Sequence, residues 1–296
     1  MDVVLAGASG LIGSALKDAL REDGHQLRVL VRRPPAAPDE VSWDPDAAPL
    51  AAAVLDGADA IVNLSGAGIG DKRWTADYKN KLLTSRIRPT STLVAALAEA
   101  GESGPKVMLS ASAVGYYGDT GDNEVDETAP VGAGFLPDLC RQWEAAAEPA
   151  SQHARVVRLR TGLVLSREGG LLGRLRPLVK AGIGGKLGTG RQFQPWITLV
   201  DHIAALRFLL TEDVTGPVNV VGPAPVRQSE FVHEMGEILH RPTIIPAPAF
   251  GIRAVLGGFA GEGVLIGQRA VPAALQSAGF TFTHPDLHSA LAWALD

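Results

Sequence analysis

Cysteine is nearly absent from this 296-residue sequence: Cys140 is the only one, which excludes an intrachain disulfide and fits a reducing compartment. Charge of either sign is not in large excess. The 27 Lys and Arg are mixed with 32 Asp and Glu, giving a formal net charge of −5, which argues against a nucleic-acid surface or a polybasic membrane anchor. Long apolar runs are missing too. Arg253 and Glu262 interrupt the most apolar C-terminal region, so no membrane span is expected. Asp2 stands where a signal peptide would place basic residues, and the expected location is the cytoplasm. There is no Gly-x-Ser-x-Gly, the usual sequence clue to an α/β-hydrolase. Among the seven histidines only His284 and His288 share helical spacing, and Pro285 leaves His284 outside the helix that follows, so no metal site is expected. No internal repeat or long low-complexity linker appears.

What remains is a chain that is 46% hydrophobic, enough to bury the core of one or two domains. It is organised around Gly7-Ala8-Ser9-Gly10-Leu11-Ile12-Gly13, which follows the apolar run Val3 to Ala6 and opens a helical pattern from Ser14 to Arg21. Strand, glycine turn and helix in that order are the context of dinucleotide binding. Gly7 allows the sharp turn, Gly10 lets a pyrophosphate approach the backbone, and Gly13 lets the helix pack on the sheet. The second strand, Gln26 to Val31, ends at Arg32 and Arg33. About 20 residues beyond the glycines an NAD site would carry Asp or Glu, whereas arginines there suit a 2′-phosphate, so NADP is favoured and NAD less so. Asp59 to Leu64 reads as a strand ending in the small residues Ser65 to Gly68. Helical stretches are expected from about Thr75 to Arg88 and, opened by Pro89, to Ala100. Val107 to Ser110 is the next strand. Strands alternating with helices imply an α/β fold with a Rossmann-like, doubly wound parallel sheet.

These features, with Ser85-Arg86, Ser110 to Gly118, Trp143 to Ala146, Pro195-Trp196-Ile197 with Asp201, and the tail Gly279 to Trp293, resemble an extended short-chain dehydrogenase/reductase of the epimerase/dehydratase type. More narrowly they are similar to the bacterial "epimerase family protein" group, and the likeness runs along essentially the whole chain. It implies that Arg32, Asn63, Leu64, Arg86 and the region of Leu163 line an NADP site, beside Gly7, Ser9, Gly10, Leu11, Ile12, Gly13, Arg33, Ser65 and Gly66. The wider family uses a serine, a tyrosine and a lysine in the spacing Tyr-x-x-x-Lys. The tyrosine, with an ordinary pKa of about 10, exchanges a proton while the lysine eases its ionisation. Ser112 suits the serine place. The dyad's slot reads Leu136-Pro137-Asp138-Leu139-Cys140-Arg141, and none of the three tyrosines, Tyr78, Tyr116 and Tyr117, is followed by lysine at that spacing. Tyr116 or Tyr117 is a candidate replacement proton donor, and wall aromatics are the alternative. Arg141 is a candidate for steadying an oxyanion.

A small, mostly helical C-terminal lobe is expected to face the substrate. The division is residues 1–165 with 195–222 for the cofactor domain, and 166–194 with 223–296 for the lobe. Gly182 to Arg191 lacks the Ser or Thr that a nucleotide-phosphate loop needs after its lysine, since Leu187 follows Lys186. It reads instead as a mobile loop that brings Lys186, Arg191 or Gln194 near a ligand. The expected activity is that of an NADP(H)-dependent oxidoreductase or epimerase acting on a small carbonyl or hydroxyl compound. The rival is a non-catalytic NADP(H) sensor or partner-binding protein, because relatives implied by the resemblance are associated with cell or plastid division. A homodimer is likewise an implication of the family alone.

Overall fold

The computed structural model describes residues 1–296. The chain begins as β1 (Asp2–Ala6), α1 (Leu11–Glu22), β2 (Gln26–Val31) and β3 (Glu40–Ser42), then returns past β1 as β4 (Ala60–Asn63). α2 (Ala76–Ala100) and β5 (Val107–Ala113) follow, and the two-residue β6 (Glu124–Val125) precedes α3 (Phe135–Ala147) and β7 (Arg155–Thr161). Next come β8 (Leu163–Ser166), α4 (Gly170–Lys180), β9 (Phe193–Gln194), β10 (Trp196–Thr198), α5 (Leu199–Thr211) and β11 (Gly216–Val220). The chain closes with β12 (Val226–Arg227), α6 (Gln228–Ile238), α7 (Ala249–Leu256), β13 (Arg269–Ala270), α8 (Ala273–Ser277) and α9 (Leu287–Leu295). No helix is long and apolar enough to cross a membrane.

Seven strands form one parallel sheet in the order β11-β7-β5-β4-β1-β2-β3. The chain winds outward from β1 through β2 to β3, then from β4 to β11 on the other side. The order therefore reverses between β1 and β4, and ligands of such sheets bind outside the carboxyl ends of the strands at this reversal. The central strands β1 and β4 are apolar almost throughout because both faces are covered. α1 and α5 seal one face with Leu16, Leu20, Ile203 and Leu206, and α2 covers the other with Leu93 and Leu97.

Two sequence expectations change here. Pro89 does not separate two helices but lies, buried, inside one continuous α2. A proline costs an interior helix one backbone hydrogen bond, and the packing of Leu82, Leu93 and Leu97 on either side offsets it. The last fifty residues are also not all lobe. β13 pairs with β6, and Leu275 joins the core under α1 and α5, with Phe280 and Phe282 against it. Asp201 in α5 is buried and accepts the backbone N–H groups of Thr283 and His284 at 2.6 and 3.0 Å, which fastens this returning segment. The separate small core is built from α4, α6 and α9 around Trp196 and Phe231.

Candidate cofactor and substrate site

The glycine loop closes on itself at the sheet reversal. Gly7 has φ +83°, and a Cβ there would lie 2.6 Å from the Leu64 carbonyl group. A Cβ on Gly13 would stand 2.2 Å from the Gly7 oxygen, so α1 reaches the sheet only because Gly13 has none. Gly10 differs: the nearest protein atom to its missing Cβ is 3.7 Å away, and the clearance faces a cleft.

That outer cleft has a volume of about 690 Å³ and is bordered by Gly7, Ser9, Gly10, Leu64, Ser65 and Gly66. Five cations edge it, Lys17, Arg21, Arg32, Arg33 and Lys81, against one carboxylate, Glu40. Arg33 spends its fork on Glu40, at 2.8 and 2.6 Å. The Arg33 hydrogen bonds, with the Ala36 N–H, hold the Glu40 carboxyl down at about 2. Arg32 borders the same cleft and forms no ion pair.

Gly7, Gly10, Leu64, Ser65 and Gly66 also border an inner cavity of about 530 Å³, so the two are one groove divided by the glycine loop. Leu11, Ile12, Gly13, Arg86, Ser112 and Leu163 line this inner part. Arg86 is buried without a carboxylate; it donates to the carbonyls of Leu82 and Ala67, both at 2.9 Å, and its side chain lies under Gly66. Its Nε has no partner, and burial lowers its pKa. Asn63 lines neither part. It is fully buried, donates to Thr90 and accepts the Ser65 N–H at 3.1 Å, so it shapes the strand end on which Ser65 and Gly66 stand.

Ser112 stands at the far end of the groove, and behind it is a buried charged network that the sequence reading did not find. Its Oγ is 2.7 Å from Glu144 Oε1. Glu144 is gripped from the other side by Arg160, Nε to Oε1 at 2.8 Å and Nη2 to Oε2 at 3.0 Å. Both Glu144 oxygens accept from Arg160, and Ser112 donates its hydroxyl hydrogen to Oε1, which leaves the two Ser112 lone pairs as acceptors at the cavity wall. Burial by itself would lower the Arg160 pKa, but the Glu144 hydrogen bonds and charge outweigh it and raise it. The register of the sheet makes the meeting: Ser112 on β5 sits directly beside Arg160 on β7, and α3 brings Glu144 over both. Two signals were present. Arg160 lies on a strand of the central sheet, where a buried charge must be paired, and Glu144 follows Trp143 on the buried stripe of α3.

The same network corrects the reading of the tyrosines as proton donors in the cavity. Neither lines it. Tyr117 is buried, donates to Asn219 Oδ1 at 2.7 Å and accepts from Arg160 at 2.9 Å, and burial pushes its hydroxyl up to about 12. The Tyr116 ring lies under the Arg160 guanidinium, 3.6 Å from its centroid. In the dyad's slot, Cys140 borders the cavity but is pushed up to about 12 by burial, and Arg141 turns outward to Asp138. The segment Gly182 to Arg191 is tied down rather than free. Gly185 and Leu187 bridge to Ile244 and Ala247, and Gln228 accepts the Leu187 N–H. Lys186 and Arg191 are exposed and away from the cavity, which Gln194 does line.

A family model for the NAD dependent epimerase/dehydratase family matches residues 3–222, and a domain of unknown function, DUF1731, matches residues 247–294. The epimerase family protein Mb2239 of Mycobacterium bovis is 48% identical over 294 residues, covering 99% of this chain and 97% of its own. The human epimerase family protein SDR39U1 is 34% identical over 295 residues, 98% of each chain. The crystal structure of human SDR39U1 (isoform 2) with NADPH matches with a TM-score of 0.92 at 32% identity, over 100% of this chain and 99% of that one. A nucleoside-diphosphate sugar epimerase from Corynebacterium glutamicum matches with a TM-score of 0.81 at 34% identity, over 100% of this chain and 58% of the other.

Proposed function

The chain belongs to the NAD-dependent epimerase/dehydratase family, in the group of epimerase family proteins, and on that footing we propose that it is an NADP(H)-binding oxidoreductase or epimerase for a small carbonyl or hydroxyl compound. The observation that carries this reading is the continuous groove, cationic at one end and ending at Ser112 at the other. The groove fits the cofactor on its own chemistry. The clearance at Gly10, the N-terminus of α1 and the cations Arg32 and Lys81, which unlike Arg21 and Arg33 have no carboxylate partner, suit phosphates. Gly7, Ser9, Gly10, Leu64, Ser65 and Gly66 would hold its phosphate and ribose parts, Arg32 a 2′-phosphate, and Leu11, Ile12, Gly13, Arg86 and Leu163 its inner half. Bound NADP(H) supplies the hydride acceptor or donor. The NADPH in the crystal structure of the human relative supports the same choice.

Ser112 acts in this reading as an acceptor. Its hydrogen is committed to Glu144, so it orients a substrate hydroxyl, and donating to a carbonyl oxygen requires it to leave the carboxylate. Tyr117 and Tyr116 hold Arg160 in place. The test is NADPH oxidation across a panel of aldehydes and ketones, with Ser112→Ala expected to abolish turnover while retaining NADPH affinity. Full turnover in that variant removes Ser112 from the reaction. A non-catalytic sensor is the second reading, and the absence of any tyrosine hydroxyl in the cavity favours it. Tight NADPH binding with no oxidation across the whole panel would support it.

A further inference from the structure

The two ends of the groove carry opposite provisions for charge. Against the five cations of the outer cleft, the inner cavity has one, Arg86, which lies beside Gly66 where the two parts join. Around Ser112 the wall is mainly apolar, with Ile69, Leu136, Leu139, Trp143, Phe193 and Ile266, and its neutral polar side chains include Gln194 and Gln268. The charged side chain on this stretch is a carboxylate, Glu262, on the turn Ala260–Val264. Its Oε2 accepts the backbone N–H of Leu136 at 2.8 Å. The start of α3 is where this wall would offer an anion free N–H groups and the positive end of a helix dipole. The chain's own carboxylate already holds that place. The arginines nearest Phe193 are engaged as well: Arg227 and Arg269 lie over its ring and pair with Asp122 and Glu124.

From this we infer that the cavity takes an uncharged, mainly apolar carbonyl or hydroxyl compound, and that Glu262 excludes phosphate-bearing substrates such as nucleotide-linked sugars. The inference rests on the NADP(H) reading above and narrows its substrate. A diphosphate brought to this wall meets a negative charge and no free guanidinium or ammonium, so its lost hydration is not replaced. An apolar body is stabilised there in proportion to the apolar area it removes from water.

The test begins with an NADPH titration of the wild-type protein, followed by acetophenone, octanal and UDP-glucose added separately to the loaded protein. Melting temperature and reduced-nicotinamide absorbance are read for each. The two neutral probes are expected to stabilise the loaded protein or draw down NADPH, and UDP-glucose to do neither. In Glu262→Gln, which keeps an acceptor for the Leu136 N–H, UDP-glucose affinity should rise about tenfold, the worth of about 1.4 kcal/mol of removed repulsion. Glu262→Ala, checked by its melting curve, should gain UDP-glucose in the same way. Saturable UDP-glucose binding to the wild type, unchanged UDP-glucose affinity in folded variants, or no response to either neutral probe overturns the inference. Absence of NADPH binding removes the cofactor reading first and this narrowing with it.

Discussion

Arg32 and Arg33 are adjacent in the sequence and both border the outer cleft, yet the structure predicts different consequences for replacing them. Both terminal nitrogens of Arg33 are held by Glu40, whose carboxyl that pairing, with the Ala36 N–H, holds down at about 2. Arg32 has no carboxylate and keeps its whole fork for a ligand. If Arg32 meets a 2′-phosphate, Arg32→Ala removes a charge-assisted hydrogen bond of about 1.5–3 kcal/mol, which weakens NADPH about 10- to 150-fold. NADH, which lacks that phosphate, should keep its affinity. Arg33→Ala leaves Glu40 unpaired in the cleft, and its effect on NADPH should be that of an exposed charge pair, about fivefold or less. The assay is a titration followed by nicotinamide fluorescence with both cofactors. A run at raised salt should shrink the difference, because the Debye length is about 10 Å at 0.1 M and shorter above it. Equal losses for NADPH and NADH in Arg32→Ala, or a larger loss in Arg33→Ala than in Arg32→Ala, would refute the reasoning.

Three further outcomes follow from the buried groups. Glu144→Ala strands the Arg160 charge in the core and should cost about 3–5 kcal/mol. At about 2.1 cal/mol/K per residue that lowers the melting temperature by roughly 5–8 °C, whereas Glu144→Leu with Arg160→Met should recover most of it; a single variant that melts with the wild type contradicts the pairing. His202 is buried, with Nδ1 unpartnered, and burial brings its pKa down to about 3. Its folded value lies below the unfolded one, so its stability contribution is complete above about pH 6.5 and is lost as pH falls towards 3, by at most about 1.4 kcal/mol per unit. Urea unfolding at pH 7 and pH 5 should show the wild type losing about 2 kcal/mol more than His202→Gln, and parallel losses would exclude His202 as the cause. Gly13→Ala puts a Cβ 2.2 Å from the Gly7 oxygen, so it should displace α1 and abolish NADPH binding; retained affinity there would dissociate the loop geometry from the cofactor.

The glycine loop, the alternation of strand and helix and the arginines after β2 could be read from the sequence because each rests on rules that act over a few residues. A turn that needs φ +83° or lacks room for a Cβ selects glycine at that position, and a strand covered on both faces is apolar along its length. The choice between Arg32 and Arg33 was not local, since it depends on where β3 places Glu40. Pro89 punctuates helices by local rules, and only the packing of α2 on both sides of it kept that helix whole. Ser112, Glu144 and Arg160 meet because parallel strands set the register of β5 against β7, and Glu262 reaches Leu136 across 126 residues of chain. The sequence by itself determined the cofactor half, because sterics and periodicity are short-ranged. Tertiary structure decided which charges are paired, which way the Ser112 hydrogen points and what faces the inner cavity, because a buried charge takes whatever partner the fold brings within hydrogen-bond reach.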